Sequence, residues 1–144
     1  MILRSLAVLA MLAGGLLACG KAQDKMLDIN PEHVTHRFFE AWHADDWEAL
    51  YEIVHPSFMQ RLRLQKLDSK LQMLSDRDLF IREFTRVRNA NPGMILRSYR
   101  IVSISPYRAG DTTLWVKATV NGKKRKIPLT LDGLSLKVDV TRIE

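Results

Sequence analysis

The chain has 144 residues, a formal net charge of +6 and one cysteine, and 47% of its residues are hydrophobic. One cysteine excludes an internal disulfide, so whatever folds here must be held by an apolar core. The basic excess favours anionic surfaces as partners.

Met1–Arg4 gives a short positive region, and residues 5–17 form an almost purely apolar run that stops at Cys19-Gly20-Lys21. That is signal-peptide architecture, and the run falls short of the roughly 20 apolar residues a spanning helix needs. Leu16-Leu17-Ala18-Cys19 resembles the lipobox of bacterial lipoproteins, in which the thiol is acylated and the chain is cut just before it. The resemblance implies removal of residues 1–18 and membrane attachment through a lipid on Cys19. An ordinary secretory signal or an uncleaved anchor are the competing readings. Each buried methylene contributes about 0.8 kcal/mol and one acyl chain holds only marginally, so several chains make a stable anchor. In the family that residues 16–19 resemble, Asp after the cysteine favours inner-membrane retention. Gly20 stands there instead, so the expected place is the bacterial cell envelope, facing the periplasm, with the outer membrane favoured. Nucleic acid is not an expected partner there, and an acylated Cys19 leaves no thiol for catalysis. Residues 19–29 read as lipidated cysteine and tether, and residues 30–144 suffice for one domain burying roughly two thirds of its unfolded surface.

Asn30 is a cap and Pro31 a first helical residue, after which Val34, Phe38, Ala41 and Trp42 recur at helical spacing. Asp45-Asp46 ends that helix and caps a second, carrying Trp47, Leu50, Tyr51 and Val54, until His55-Pro56 stops it. Residues 57–74 are less regular. Asp76 and Asp78 open a helix with Phe80, Phe84 and Val87, and the arginines between Arg61 and Arg88 are expected on the wet faces of helices. From residue 94 the pattern is strand-like. Leu114, Val116, Ala118 and Val120 alternate up to Asn121-Gly122, a hairpin signal; Ile127, Leu129 and Leu131 lead to Asp132-Gly133, a second one; Leu134, Leu136, Val138 and Val140 alternate again. Pairing Val116 with Ile127 and Leu129 with Leu136 puts the apolar residues on one face. Residues 123–131 between the two presumed turns are odd in number, however, so a longer turn or a bulge at Pro128 is expected.

Residues 34–58, VTHRFFEAWHADDWEALYEIVHPSF, are similar to the opening helices of the nuclear-transport-factor-two-like superfamily, particularly its exported lipoproteins. The later strands, with Asp132-Gly133 and Lys137-Val138-Asp139, resemble its ending, although Leu134-Ser135-Leu136 stands where the family usually has Trp. The resemblance implies a cystatin-like α+β fold: three to four N-terminal helices on a curved four-stranded antiparallel sheet, shaped as a cone. Enzymes of that superfamily work in the pocket between helices and sheet.

The candidate pocket residues are Trp42, Asp45, Tyr51, His55 and Tyr99, and no spacing shows that they converge. Tyr51 lies on the apolar stripe of its helix, which suits a core tyrosine, and His55 before Pro56 suits a helix stop. Asp45-Asp46 reads more economically as a turn and cap than as an acid and base pair, and Trp42 and Trp47 are expected to pack together around it. His36 and His43 are roughly 10 Å apart along one helix, too far to share an ion, so no metal and no cofactor is expected. Trp115 falls on the polar face of its strand, a candidate binding surface. Lys123, Lys124, Arg125 and Lys126 form the densest charge run, either a solvated hairpin tip or a contact with anionic lipid or lipopolysaccharide. No catalytic residue is assigned. The expected function is a membrane-anchored, non-catalytic binding or envelope accessory domain, with anionic lipid, a small ligand or an envelope protein as partner classes. The alternatives are a small pocket enzyme of isomerase, dehydratase or hydrolase type using Tyr51, Asp45 or His55, and an immunity or secretion-system accessory lipoprotein.

Overall fold

The computed structural model describes residues 29–144, so the expected signal segment, Cys19 and the expected tether up to residue 28 lie outside the described residues. Helix α1 (Pro31–His43) begins where the Asn30 side chain accepts hydrogen bonds from the Glu32 and His33 amides at 3.0 and 3.3 Å. Pro31 follows in the first turn, where its missing N–H costs nothing. The helix buries Val34, Phe38, Phe39 and Ala41. It ends at Asp45, whose φ of 52° lies in the left-handed region that Asp tolerates better than most residues. Asp46 then caps helix α2 (Trp47–Ile53) by accepting from the Ala49 amide at 3.0 Å. Asp45 thus supplies the turn and Asp46 the cap.

The irregular stretch resolves into helix α3 (Ser57–Gln65) and the one-turn α4 (Ser69–Gln72), capped by Asp68. Arg63 departs from the wet-face expectation. Its guanidinium donates to Asp76 at 2.9 and 2.7 Å and to the carbonyls of Leu71 and Leu74 at 3.2 and 2.6 Å, satisfying acceptors that this short helix and its exit leave open. Helix α5 (Asp76–Ala90) is capped by Ser75, whose hydroxyl accepts from the Asp78 amide at 3.1 Å, and Asp76 and Asp78 favour its positive end. Lys66 and Arg86 pair with its buried Glu83 at 3.2 and 2.9 Å.

Strands β1 (Tyr99–Ile104), β2 (Thr113–Val120), β3 (Lys123–Asp132) and β4 (Ser135–Val138) form an antiparallel sheet in the order β1-β2-β3-β4. The architecture is α+β, with helices first and an open four-stranded sheet after them. Helix α1 packs on β1 and β4, α2 packs on α1, β4 and α5, and α5 forms an outer helical layer. Leu114, Val116, Ala118, Val120, Ile127, Leu129, Leu136 and Val138 face the helices, none more than 7% exposed. Each large side chain buried this way contributes about 1.5–3 kcal/mol before entropy is subtracted. Trp42 and Trp47 do not pair as expected, because they leave the chain on either side of the Asp45 turn. Trp42 packs on Phe38 and Phe39 and donates its Nε1 hydrogen to the Met94 carbonyl at 2.8 Å, whereas Trp47 packs on Phe84 of α5.

The sheet register corrects the parity expectation. Val116 pairs with Ile127, but Leu129 faces Val138 and Leu131 faces Leu136, a shift of two residues from the expected Leu129–Leu136 pair. Asp132 closes β3 opposite Ser135, which makes Gly133-Leu134 the turn in place of Asp132-Gly133. Gly133 carries a φ of 61° and Leu134 is not among the positive-φ residues, as a type II′ turn with glycine first requires. Asn121 and Gly122, at 49° and 78°, have the two positive φ values of a type I′ turn. With 10 residues in β3 the parity closes, and neither a longer turn nor a bulge at Pro128 is needed. The Pro128 peptide points toward β4, which has already ended there. Its carbonyl accepts from Asp139 at 2.9 Å, and the proline removes no ladder bond. The irregularity lies in β1, where the register slips between Ile101 and Ser103 and leaves Val102 as the extra residue. Residues 95–98, expected in the strand, stay outside the ladder because the Asn121 side chain engages them. It accepts from the Arg97 and Ser98 amides at 2.7 and 3.2 Å and donates to the Ile95 carbonyl at 2.7 Å.

Candidate functional site

Two of the five candidate pocket residues, Tyr51 and His55, share a cleft of about 500 Å³ with Arg63, Asp76, Asp132 and Lys137. Its charged wall is largely paired: Arg63 is bound to Asp76, and the Lys137 ammonium donates to the Glu52 carbonyl. Burial, then the carboxylates of Asp76 and Glu52, raise the Tyr51 pKa above its ordinary value against the pull of Arg77, so its hydroxyl is a proton donor at neutral pH and not a phenolate base.

His55 Nδ1 accepts from the Ser57 amide at 3.1 Å and lies 2.9 Å from Ser57 Oγ, which donates onward to Asp139 at 3.4 Å. These are the residue types of a nucleophilic triad in the wrong order. In a working triad the histidine stands between serine and carboxylate. Here the serine stands between them, and Nδ1, needed for the carboxylate, is occupied by a backbone N–H. The arrangement closes the turn into α3 and docks it on residue 139.

The other three candidates lie elsewhere. Tyr99 stacks on Phe39 with ring centroids 4.4 Å apart, its hydroxyl 3.2 Å from His36 Nδ1; burial, then Glu40, raise its pKa as well. Asp45 pairs with Arg88 at 3.1 Å, and Trp42 is held by Met94. Side chains such as Phe39, Leu50, Phe80, Val116 and Leu129, each at most 2% exposed, fill the space between helices and sheet. The five residues do not gather in one pocket, and their spacing gave no reason to expect it.

The outer face of the sheet is different in kind. Strand alternation puts Lys124 and Lys126 on it, with Arg100 and Lys117 beside them, around a groove of about 610 Å³ that also touches Val102, Ala118, Thr119, Arg125 and Glu144. The basic run opens β3 directly after the Asn121-Gly122 turn and all four of its residues are exposed; alternation gives Lys123 and Arg125 the parity of the inward-facing Val120 and Ala118, although Arg125 also borders the groove. Lys117 stands directly opposite Lys126 in the ladder, a like-charge pair that destabilises a sheet. Glu144 offsets part of this: it exchanges both backbone hydrogen bonds with Lys126 and pairs with its ammonium at 3.1 Å. Arg100 and Lys117 went unnoticed in the sequence, though the Asn121-Gly122 turn already fixes which residues of β2 and β3 share a face.

Trp115 lies on this outer face, next along β2. It is half-buried, with the Arg142 guanidinium 5.9 Å from the centre of its ring. Arg142 is positioned by Asp139, whose carboxylate accepts from Arg142 Nε at 2.8 Å and from the Thr141 amide at 3.1 Å. Burial raises the Asp139 pKa, but the hydrogen bonds from Thr141 and Arg142 outweigh it and hold the carboxyl below its ordinary value.

Among the described residues no cluster of His, Cys, Asp and Glu could hold a metal ion, and no helix is long and apolar enough to cross a membrane. Compared with protein-family models, with curated proteins and with solved structures, the chain finds no match.

Proposed function

We propose that this protein is an exported lipoprotein, anchored through Cys19 in the bacterial envelope, whose domain binds an anionic, phosphate-bearing envelope component on the outer face of its sheet. The lipobox resemblance at residues 16–19 supports the anchoring, and the helices-then-sheet order supports a nuclear-transport-factor-two-like fold. The observation that carries the binding is the gathering of Arg100, Lys117, Lys124 and Lys126 around one groove, with Lys117 set against Lys126 at a cost to the fold. Lysine serves phosphate as a point charge, and a polyanion on this face would offset the part of the Lys117–Lys126 repulsion that Glu144 does not. A binding role in place of catalysis is supported by the apolar filling under the sheet and by the His55-Ser57-Asp139 order.

The anchoring is tested by Cys19→Ser, which is expected to abolish acyl labelling and membrane fractionation; unchanged labelling rejects it. For the binding, Arg100, Lys117, Lys124 and Lys126 are replaced together by Gln. Stability is expected to hold or rise, while retention on phosphatidylglycerol vesicles or on inorganic polyphosphate, and its salt sensitivity, falls. The vesicle arm reads a membrane source of phosphate and the polyphosphate arm a soluble one. A variant that keeps the parent's binding in both arms rejects the proposal.

A further inference from the structure

At the other end of β3 from the basic face, large apolar side chains stand in the open. Leu134, in the second position of the Gly133-Leu134 turn, is 91% exposed, and Tyr107, Ile29 and Leu131 are 64%, 59% and 41% exposed. Ile29, Tyr107 and Leu131 line one shallow groove with Pro31, Leu114 and Leu136, and with Asp111 and Thr112 as its polar members; the turn carrying Leu134 joins the two strands that supply Leu131 and Leu136. The turn itself asks for glycine at its first position and has no use for leucine at its second. Ile29, part of this patch, is where the chain arrives from Cys19.

We infer that this pole is a bilayer-contact surface: Leu134, Leu131, Ile29 and the Tyr107 ring enter the interfacial region of the membrane that holds the anchor. The inference rests on the lipid anchoring proposed above. Nine residues, 20–28, lie between Cys19 and Ile29, so the pole is the part of the domain nearest the anchor along the chain, and an aromatic ring with a polar tip beside leucines suits the head-group level. The orientation has a consequence for the basic face. At about 3.4 Å per residue along β3, Lys126 and Lys124 stand roughly 20–27 Å from the pole, beyond the Debye length of about 8–10 Å. A domain seated on its pole presents the basic groove away from its own membrane, to an anionic partner in the space above it.

The test uses full-length lipoprotein purified from membranes and reconstituted in phosphatidylcholine vesicles, with Leu134→Cys or Lys124→Cys carrying a polarity-sensitive thiol fluorophore. Both positions are exposed, so neither change should disturb folding. Cys19 is the only native cysteine, and acylation blocks it, so each variant should take one label. The probe at 134 is expected to shift to the blue and to lose most of its emission when the acyl chains are brominated, while the probe at 124 does neither. One label per chain with a water-exposed probe at 134 overturns the inference alone. Two labels per chain overturn the anchoring, and the inference falls with it.

Discussion

Replacing Asp139 by Asn probes the link that fastens residues 139–144 across the outer sheet face. In the parent, the nearly buried carboxylate, its side chain 8% exposed, accepts from Arg142 and Thr141. Asn keeps one oxygen for Thr141 but turns an N–H toward the Arg142 guanidinium, so the ion pair is lost. A hydrogen bond to a charged group contributes about 1.5–3 kcal/mol. Arg142 is 45% exposed, and solvent screening lowers the expected loss to about 1–2 kcal/mol. For a domain of this size that is about 4–8 °C in Tm. The pH dependence follows from the direction of the Asp139 shift. A carboxyl held low in the folded state contributes stability above its unfolded pKa of about 3.9, and that contribution is lost as pH falls through the lower folded value. Protonated Asp139 resembles Asn, so the Tm gap between parent and variant should be full at pH 7 and close below about pH 4. Circular dichroism melts across that range give the gap, and Trp115 fluorescence should change in the variant as Arg142 leaves its ring. A gap as wide at pH 3 as at pH 7 would refute the linkage, and an absent gap at pH 7 would refute the ion pair.

Gly133→Ala should lower stability by about 1–2 kcal/mol because its φ of 61° penalises a Cβ, whereas Gly93→Ala, with only Asn91 Oδ1 at 3.8 Å, should be near neutral in urea unfolding. Asn121→Ala removes the three hydrogen bonds to residues 95–98, so amide exchange at Arg97 and Ser98 should speed up well before the core opens. Leu129→Ala, at a fully buried position, should cost about 3–5 kcal/mol; Leu64→Ala, at one 78% exposed, should stay within about 0.5 kcal/mol, and equal losses would mean the sheet's core face is misassigned.

The helical half was legible because its punctuation is local: Asn30 and Asp46 accept from amides within one turn of themselves, and only the cap of α5 differs, being Ser75 just before the Asp76 and Asp78 that mark its first turn. The strands were legible as alternation, and Asn121-Gly122 as a turn. The second turn misled because Asp132-Gly133 and Gly133-Leu134 are both acceptable to glycine, and only the pairing of Asp132 with Ser135 chooses between them. Residues 95–98 looked like strand because their composition is apolar and β-branched in part, while the side chain that withholds them from the ladder lies at Asn121, distant in sequence. The site was legible only in fragments. The basic run was visible, but a run of four says nothing of faces, and Arg100 joins it through a pairing with Thr119 that no local signal encodes. Of the five residues whose chemistry suits a pocket, packing leaves Tyr51 and His55 in one cleft and sends Tyr99, Asp45 and Trp42 to separate neighbours.

The slip at Val102 bears on how many copies can stand side by side. β1 is the outside strand of the sheet, and a straight outside strand offers its unpaired N–H and C=O groups to any similar strand nearby. The extra residue puts the peptides on either side of Val102 out of step with a regular partner, and Arg100 adds a charge that would meet its own kind across a symmetric junction. Strand-to-strand joining through β1 is thereby discouraged, and β4, the other outside strand, offers only four residues to a partner.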